Sequence, residues 1–233
     1  MSILAALQTA ILRCTGTWPT DVYSSTDQVA REFADLANET AADIVAGHDW
    51  RALTSVASFV GDGVTEAFDP PADYGRMLAD AEIDDQASWF WGYSPIASVN
   101  DWMRLKAGGG AIVGPGGWLI LGGRFQFYPA PTGTAQFPYI RKTWAAASDG
   151  TPKATFHADD DTFALSERLL ALGLIWRWRA WKGLEYGEDM RNYEIALAQE
   201  QGRDKGARVL ASVGPRFRGV MTAYPWALGP DII

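Results

Sequence analysis

Two histidines and a run of three aspartates are the first residues in this chain that could bind a metal ion. His48 and His157 are far apart, and neither has a second histidine at the spacing of a metal site. Asp159, Asp160 and Asp161 could offer oxygens to Ca²⁺, but the glycine and the distal glutamate of an EF-hand loop are absent. The sequence therefore predicts no metal site, and the aspartates are interpreted as an N-cap cluster before a helix.

The sequence gives no better support for a catalytic nucleophile or for a phosphate-binding loop. Cys14 is the only cysteine and lies in an amphipathic stretch, residues 2–14, where a buried structural thiol is expected. A lone cysteine cannot form an internal disulfide, which fits a reducing cytoplasm. The glycine-rich loop Gly108–Gly117 has no lysine at the position of a P-loop, and no Ser/His/Asp arrangement is visible. We therefore expect a protein that is not an enzyme and needs no cofactor.

Composition and charge narrow the class further. The 233 residues are 48% hydrophobic, enough for a sizeable core, without an apolar run of about 18 residues or a signal peptide. The net charge of −8 argues against a protein that grips nucleic acid through its phosphates. An acidic wall can nevertheless surround DNA and let it slide, because it repels the polyanion.

Helical periodicity appears at both ends of the chain. Residues 2–14 predict a short helix, and residues 26–47 predict a longer one with Ser24, Ser25 or Thr26 as its N-cap. The longer helix has an apolar face and an opposite acidic stripe of Asp35, Glu39 and Asp43. Two further helices are predicted at about 163–182, capped by Asp161 or Thr162 and ended by Gly183, and at about 186–210. The predicted inward-facing residues are Val29, Phe33, Leu36, Thr40 and Ile44 in the longer helix, and Met190, Tyr193 and Leu197 in the last.

The middle of the chain is rich in strand patterns. Hairpin turns are predicted at Gly61-Asp62-Gly63 and at Gly122-Gly123, and residues 148–160 are interpreted as a polar connector. We therefore predict an α+β fold: a bundle of about four helices from both ends of the chain with an inserted antiparallel β-rich domain. The predicted divisions are residues 1–49 and 160–212 for the bundle, 50–147 for the β-rich domain and 213–233 for an extended C-terminal tail.

The C-terminal tail is unusual in being apolar. Its sequence, GPRFRGVMTAYPWALGPDII from residue 214, is broken by proline and glycine and has no helical period. Disordered tails are normally polar. An apolar extended segment indicates docking, and the residues leave open whether it docks onto this protein's own body or onto a partner.

Four weak signals in a fixed order give the chain a resemblance to a known family. They are a short and a long helix before Trp50, the segment from Trp50 to Met77 with its glycine turn and Pro70-Pro71-Ala72-Asp73-Tyr74, the hairpin followed by Tyr128-Pro129-Ala130-Pro131-Thr132-Gly133, and the helix pair within 159–201. In this order the chain resembles the head-to-tail adaptor proteins of tailed bacteriophages and gene transfer agents, the group that includes podovirus tail tubular protein A.

The resemblance implies a structural virion protein at the neck, assembled in the host cytoplasm. Twelve copies would form a ring under the portal, with double-stranded DNA passing through the lumen without specific binding. The implied partners are the portal protein, other copies of the chain, and a tail or neck protein such as a stopper, nozzle or tail terminator; no membrane is involved. The portal-docking residues expected on this basis are Arg216, Phe217, Arg218, Met221, Tyr224 and Trp226. The expected subunit-interface residues are Trp176, Arg177, Trp178 and Trp181.

A second hypothesis treats the middle of the chain as a carbohydrate-binding module of a phage or secreted protein. Eleven tryptophans is a high number, and exposed Trp89, Trp91 and Trp118 could stack on sugar rings. The flanking helices have no evident role in such a module, which ranks this alternative below the adaptor.

Overall fold

The computed structural model describes residues 2–78, 83–85, 89–108 and 116–204, with the backbone alone at 84, 85 and 89–91. Its α-helices are α1 (Ile3–Thr15), α2 (Gln28–Ala46), α3 (Val99–Ala107), α4 (Glu167–Trp181) and α5 (Gly187–Asp204). Its strands are β1 (Thr54–Val60), β2 (Ala67–Phe68), β3 (Tyr74–Met77), β4 (Ile83–Asp85), β5 (Trp89–Pro95), β6 (Gly116–Leu121), β7 (Arg124–Tyr128), β8 (Thr134–Arg141), β9 (Ala145–Ala146), β10 (Pro152–Lys153) and β11 (Thr162–Phe163). The mixed α+β class predicted from the sequence is confirmed.

Helix α4 is the centre of the helical bundle. It packs against α1, α2 and α5, and its buried residues lie on several sides of the helix, as expected for a helix enclosed by others. Gly173 permits the closest approach, because a Cβ atom at this position would lie 2.5 Å from Cγ2 of Thr40 on α2. None of the helices in the described part of the chain combines the length and the apolar character needed to cross a bilayer.

The helix caps differ from the predicted ones. Helix α2 begins after Asp27, whose carboxylate accepts a hydrogen bond from the Ala30 N–H at 3.2 Å; the predicted caps at Ser24, Ser25 and Thr26 are wrong. Helix α4 begins at Glu167, four residues after its predicted start at about residue 163. Its N-cap is Ser166, and the predicted caps Asp161 and Thr162 are wrong. The C-terminal stop at Gly183 is confirmed, since its φ of 70° lies in the left-handed region that suits glycine.

The strands of the middle region form one large sheet around an aromatic core. The sheet order is β1-β8-β4-β5-β6-β7-β2, with β3 also paired to β8. Contrary to the prediction of an antiparallel domain, β5 and β6 are parallel, because α3 provides the crossover that parallel neighbours require. The hairpin at Gly122-Gly123 is confirmed. The core residues are Phe59, Ile83, Tyr93, Trp118, Phe125, Phe127, Ala135, Phe137 and Tyr139.

The predicted hairpin at Gly61-Asp62-Gly63 does not form. Strand β1 pairs with β8 and β2 pairs with β7, so the two strands beside this turn are not partners. The Gly61 and Gly63 N–H groups donate instead to the carbonyls of Gly133 and Pro131. The segment between β1 and β2 therefore connects the first and last strands of the sheet order and does not close a two-stranded hairpin.

The segment after the large sheet is more ordered than the predicted polar connector. Strands β9, β10 and β11 form a small sheet in the order β10-β9-β11. Phe156 is fully buried and its ring meets those of Trp144 and Phe163, which places this segment in the hydrophobic core of the helices. The interpretation as a polar connector is wrong, because Phe156 is a single large apolar residue among small and polar ones and gives no periodic signal.

Candidate interaction surfaces

Two of the three consecutive aspartates, Asp159 and Asp161, hold distant parts of the chain together. The carboxylate of Asp159 accepts hydrogen bonds from the Val22 and Tyr23 N–H groups, in the loop between α1 and α2. The backbone carbonyls of Asp161 and Asp159 accept from the Ile3 and Leu4 N–H groups, at the first turn of α1. These aspartates therefore stabilise α1 and its loop, and the prediction that they cap the next helix was wrong.

Asp161 is the most buried carboxylate of the described residues. Its side chain accepts hydrogen bonds from the His157 N–H at 2.7 Å, the Ala158 N–H at 3.1 Å and the Lys153 ammonium at 2.6 Å. Burial opposes ionisation, but these hydrogen bonds and the Lys153 charge outweigh it and hold the pKa of Asp161 below its ordinary value. No group of three or more metal-ligating side chains occurs among the described residues.

The other residues considered for metal binding or catalysis are the two histidines and Cys14. His48 Nε2 lies 3.3 Å from Asp204 Oδ2 at the end of α5, whereas His157 Nε2 lies 2.8 Å from the Thr155 hydroxyl on an exposed loop. Cys14 is half-buried, and this burial raises the pKa of its thiol to about 11. A thiol with a raised pKa is less ionised at neutral pH, and therefore less nucleophilic, than an exposed thiol.

The Trp- and Arg-rich end of α4 divides between interior and surface. Trp178 is buried in its own bundle, where it stacks on Phe33 at 5.5 Å and donates its indole N–H to Glu32. Trp181 is 62% exposed, three positions further along the helix. Trp176 and Arg177 are half-buried between these extremes.

Arg177 connects the two helices through charge. Its guanidinium lies 3.3 Å from Glu39 and 2.5 Å from Asp43, both on α2, and 5.1 Å from the centre of the Trp176 ring. The predicted acidic stripe is therefore partly neutralised by α4. Asp35, the third member of the stripe, is exposed and has no ion pair or hydrogen bond with any other described residue.

A groove of about 690 Å³ runs between the first half of α2 and the last turns of α4. Its apolar walls are formed by Leu36, Trp176, Ala180 and Trp181. Its polar lining consists of Gln28, Arg31, Glu32, Asp35, Glu39 and Arg177.

Two residues that line the groove also carry an unpaired donor. The Nε1 of Trp176 and the Nε of Arg177 are buried and have no partner among the described residues. On the acidic side, burial opposes ionisation of Glu32, but hydrogen bonds from Lys182, Trp178 and Gln28 outweigh it and lower the pKa of that carboxyl.

Exposed apolar side chains continue from the groove around the end of the bundle. Leu184, Tyr186 and Met190 lie in the turn between α4 and α5 and at the start of α5, and all three are exposed. Tyr193 and Leu197 pack into the core as predicted, but the inward position predicted for Met190 is wrong. This apolar end was not predicted from the sequence. Met190 lies three positions before the buried Tyr193, and this spacing is typical of two core residues on one face of a helix.

The β-rich region offers less to a sugar ligand than the sequence suggested. Trp118 is only 7% exposed and belongs to the aromatic core, so it cannot present a free ring face. The side chains of Trp89 and Trp91 lie outside the described residues. The carbohydrate hypothesis therefore loses the one tryptophan of its three whose side chain the structure describes.

The expected portal-docking residues, from Arg216 to Trp226, also lie outside the described residues. The described chain ends at Asp204, whose carboxylate accepts hydrogen bonds from the Arg51 N–H and lies beside His48. The end of α5 therefore lies where α2 leads into the β-rich region.

Comparison with known proteins identifies the family. The model of the SU10 adaptor protein family matches residues 2–222, nearly the whole chain, and no curated protein matches. The chain therefore belongs to the SU10 adaptor family of phage adaptor proteins.

Proposed function

We propose that this SU10-family adaptor is a structural virion protein of the phage neck, where copies form a ring under the portal. The observation that carries the proposal is the family match over residues 2–222. The ring extends the DNA channel and gives the next tail component, a stopper, nozzle or tail terminator, a surface to bind. The same proposal includes three more specific points: a similarity to podovirus tail tubular protein A, a ring of twelve copies, and assembly in the host cytoplasm.

The charge of the chain supports a lumen that does not hold DNA. Residues 205–233 carry four basic side chains and one acidic side chain, so they contribute +3 to a net charge of −8, and residues 1–204 carry −11. A surface of this sign repels the phosphates of a passing duplex. Specific DNA contacts are therefore not part of the proposed function.

The apolar end of the bundle supports self-association. Trp181, Leu184 and Tyr186 expose large apolar surface on a body that has buried most of its other aromatic rings. Exposed apolar patches of this kind mark protein interfaces, and tryptophan is the commonest hot-spot residue. We propose that this end, with Trp176 and Arg177, contacts the next copy in the ring, while Trp178 supports it from inside.

Trp181→Ala tests the subunit contact. Loss of a hot-spot tryptophan costs about 2 kcal/mol or more at each interface, so the ring should form only at roughly 30-fold higher concentration. Ring formation on the portal would be followed by mass photometry. Met103→Ala is the matched control, because Met103 is equally exposed but lies on α3. Equal behaviour of the two variants would remove Trp181 from the interface.

Deletion of residues 214–233 tests portal docking. The tail contains the proposed anchors Arg216, Phe217, Arg218, Met221, Tyr224 and Trp226, whereas the described core ends at Asp204. We expect the shortened protein to keep the far-ultraviolet circular dichroism of a folded protein and to lose portal binding in a pull-down. Undiminished portal binding by the folded, shortened protein would contradict the assigned role of the tail.

A further inference from the structure

The groove between α2 and α4 and the C-terminal tail have complementary chemistry. The groove presents an exposed, unpaired Asp35 beside the apolar rings of Trp176 and Trp181. The tail presents Phe217 between two arginines within a region of net charge +3. An arginine–aromatic–arginine step fits a site that offers an apolar wall beside a carboxylate.

The sequence of the tail suits an open groove. Gly214-Pro215 favours an extended conformation immediately before Arg216.

The length of the chain allows the tail to reach the groove of the same molecule. Asp204 lies beside His48, just past the end of α2, and eleven helical steps of about 1.5 Å from Asp35 to Ala46 put Asp35 about 17 Å from that end. Twelve residues separate Asp204 from Arg216 and span up to about 40 Å when extended. A tethered segment has an effective concentration of about 1 mM, which favours its own groove over that of another copy.

We propose that the groove between α2 and α4 binds residues 214–226 of the same chain before assembly. Phe217 packs against the Trp176 and Trp181 rings, and an adjacent arginine pairs with Asp35. The docked tail covers the same surface that is proposed to contact the next subunit. The inference therefore adds to the proposed function a reason why isolated copies stay apart until the portal takes the tail.

Cysteine trapping on the full chain tests this inference without the portal. In a Cys14→Ala background, Arg31→Cys in the groove is combined with Gly219→Cys in the tail, and disulfide formation is followed on a non-reducing gel. The control pair replaces Arg31→Cys by Glu194→Cys, an exposed position on α5 outside the groove lining. We expect the groove pair to form an intramolecular disulfide at least about tenfold faster than the control pair.

A charge reversal identifies the contact. Asp35→Lys should slow trapping of the groove pair about tenfold, since it replaces one charge-assisted pair by a repulsion, and Arg216→Glu with Arg218→Glu in the same chain should restore it. Asp35 has no partner among the described residues, so the folded body should keep its thermal midpoint. Equal trapping of the groove and control pairs, or no effect of Asp35→Lys, would overturn the inference.

The form of the trapped product separates the possible occupants. An intramolecular disulfide supports the inference, whereas a disulfide-linked dimer would show that the tail of a second copy occupies the groove and would overturn it. Because the portal is absent, failure here leaves portal docking by the tail intact. Conversely, if the shortened protein still bound the portal, the result of the cysteine trapping would be unaffected.

Discussion

Asp161→Asn is expected to destabilise the folded protein strongly, although Asp161 belongs to neither proposed interface. Its fully buried carboxylate accepts two backbone N–H groups and the Lys153 ammonium. An asparagine keeps the shape but has one acceptor oxygen, so it cannot serve both the backbone groups and Lys153. Losing one charge-assisted hydrogen bond and weakening two others should cost about 2–4 kcal/mol of the free energy of unfolding.

Urea unfolding followed by tryptophan fluorescence measures this cost. For a chain of this length, about 2–4 kcal/mol corresponds to a fall of roughly 5–15 °C in the thermal midpoint. Asp160→Asn is the matched control, because the neighbouring Asp160 is exposed and should change stability by less than about 0.5 kcal/mol.

The effect of Asp161→Asn should depend on pH. The pKa of Asp161 is lower in the folded protein than its ordinary value of 3.8, so the ionised carboxylate stabilises the fold above that pH. The contribution is lost as the pH falls through the folded pKa. The difference between the wild type and the variant should therefore shrink below about pH 4. Equal stability of the Asp160 and Asp161 variants at pH 7, or a cost that is unchanged in acid, would show that the ionised Asp161 carboxylate does not stabilise the fold.

Two further predictions concern the bundle. Gly173→Ala should lower the free energy of unfolding by about 1–3 kcal/mol despite the better helix propensity of alanine, because the added Cβ overlaps Cγ2 of Thr40. Thr40→Ser removes that methyl group and should recover most of the loss; urea unfolding that shows no recovery would exclude this contact as the cause. Cys14, with a thiol pKa of about 11 against 9.0 for a free thiol, should react with iodoacetamide at pH 8 about a hundredfold more slowly than an exposed cysteine. A rate equal to that of free cysteine, measured by mass spectrometry, would show that the thiol is not protected.

Local patterns were sufficient to predict four of the five described helices, α1, α2, α4 and α5, and one of the two hairpins. The apolar spacing of Phe33, Thr40 and Ile44 identified the buried face of α2, and Gly122-Gly123 identified a tight hairpin. Both signals depend on residues within one element, where backbone geometry fixes which side chains share a face. The mixed α+β class follows from the same patterns.

Long-range hydrogen bonds explain the errors. Asp161 has the sequence context of a helix cap, but its partners are Lys153 and two N–H groups of its own loop. In the same way, the Gly61 N–H bonds to Gly133 rather than closing a hairpin. Such partners are decided by how separate segments pack, which the spacing of one segment does not encode.

Only part of the candidate surfaces could be predicted from the sequence. Trp178 and Trp181 are three positions apart and chemically identical, yet one is in the core and the other is exposed. The difference depends on where α2 lies, because Phe33 and Glu32 cover Trp178. The groove between the two helices likewise becomes visible only when α2 and α4 are placed side by side.

Electron microscopy of the protein mixed with the portal of its own phage would show whether a ring forms under the portal. We expect a twelve-fold ring stacked on the portal, with residues 214–233 in contact with the portal and the end of the bundle around Trp181 in contact with the next copy. Free particles without a ring, at concentrations where both proteins are folded, would contradict the adaptor account.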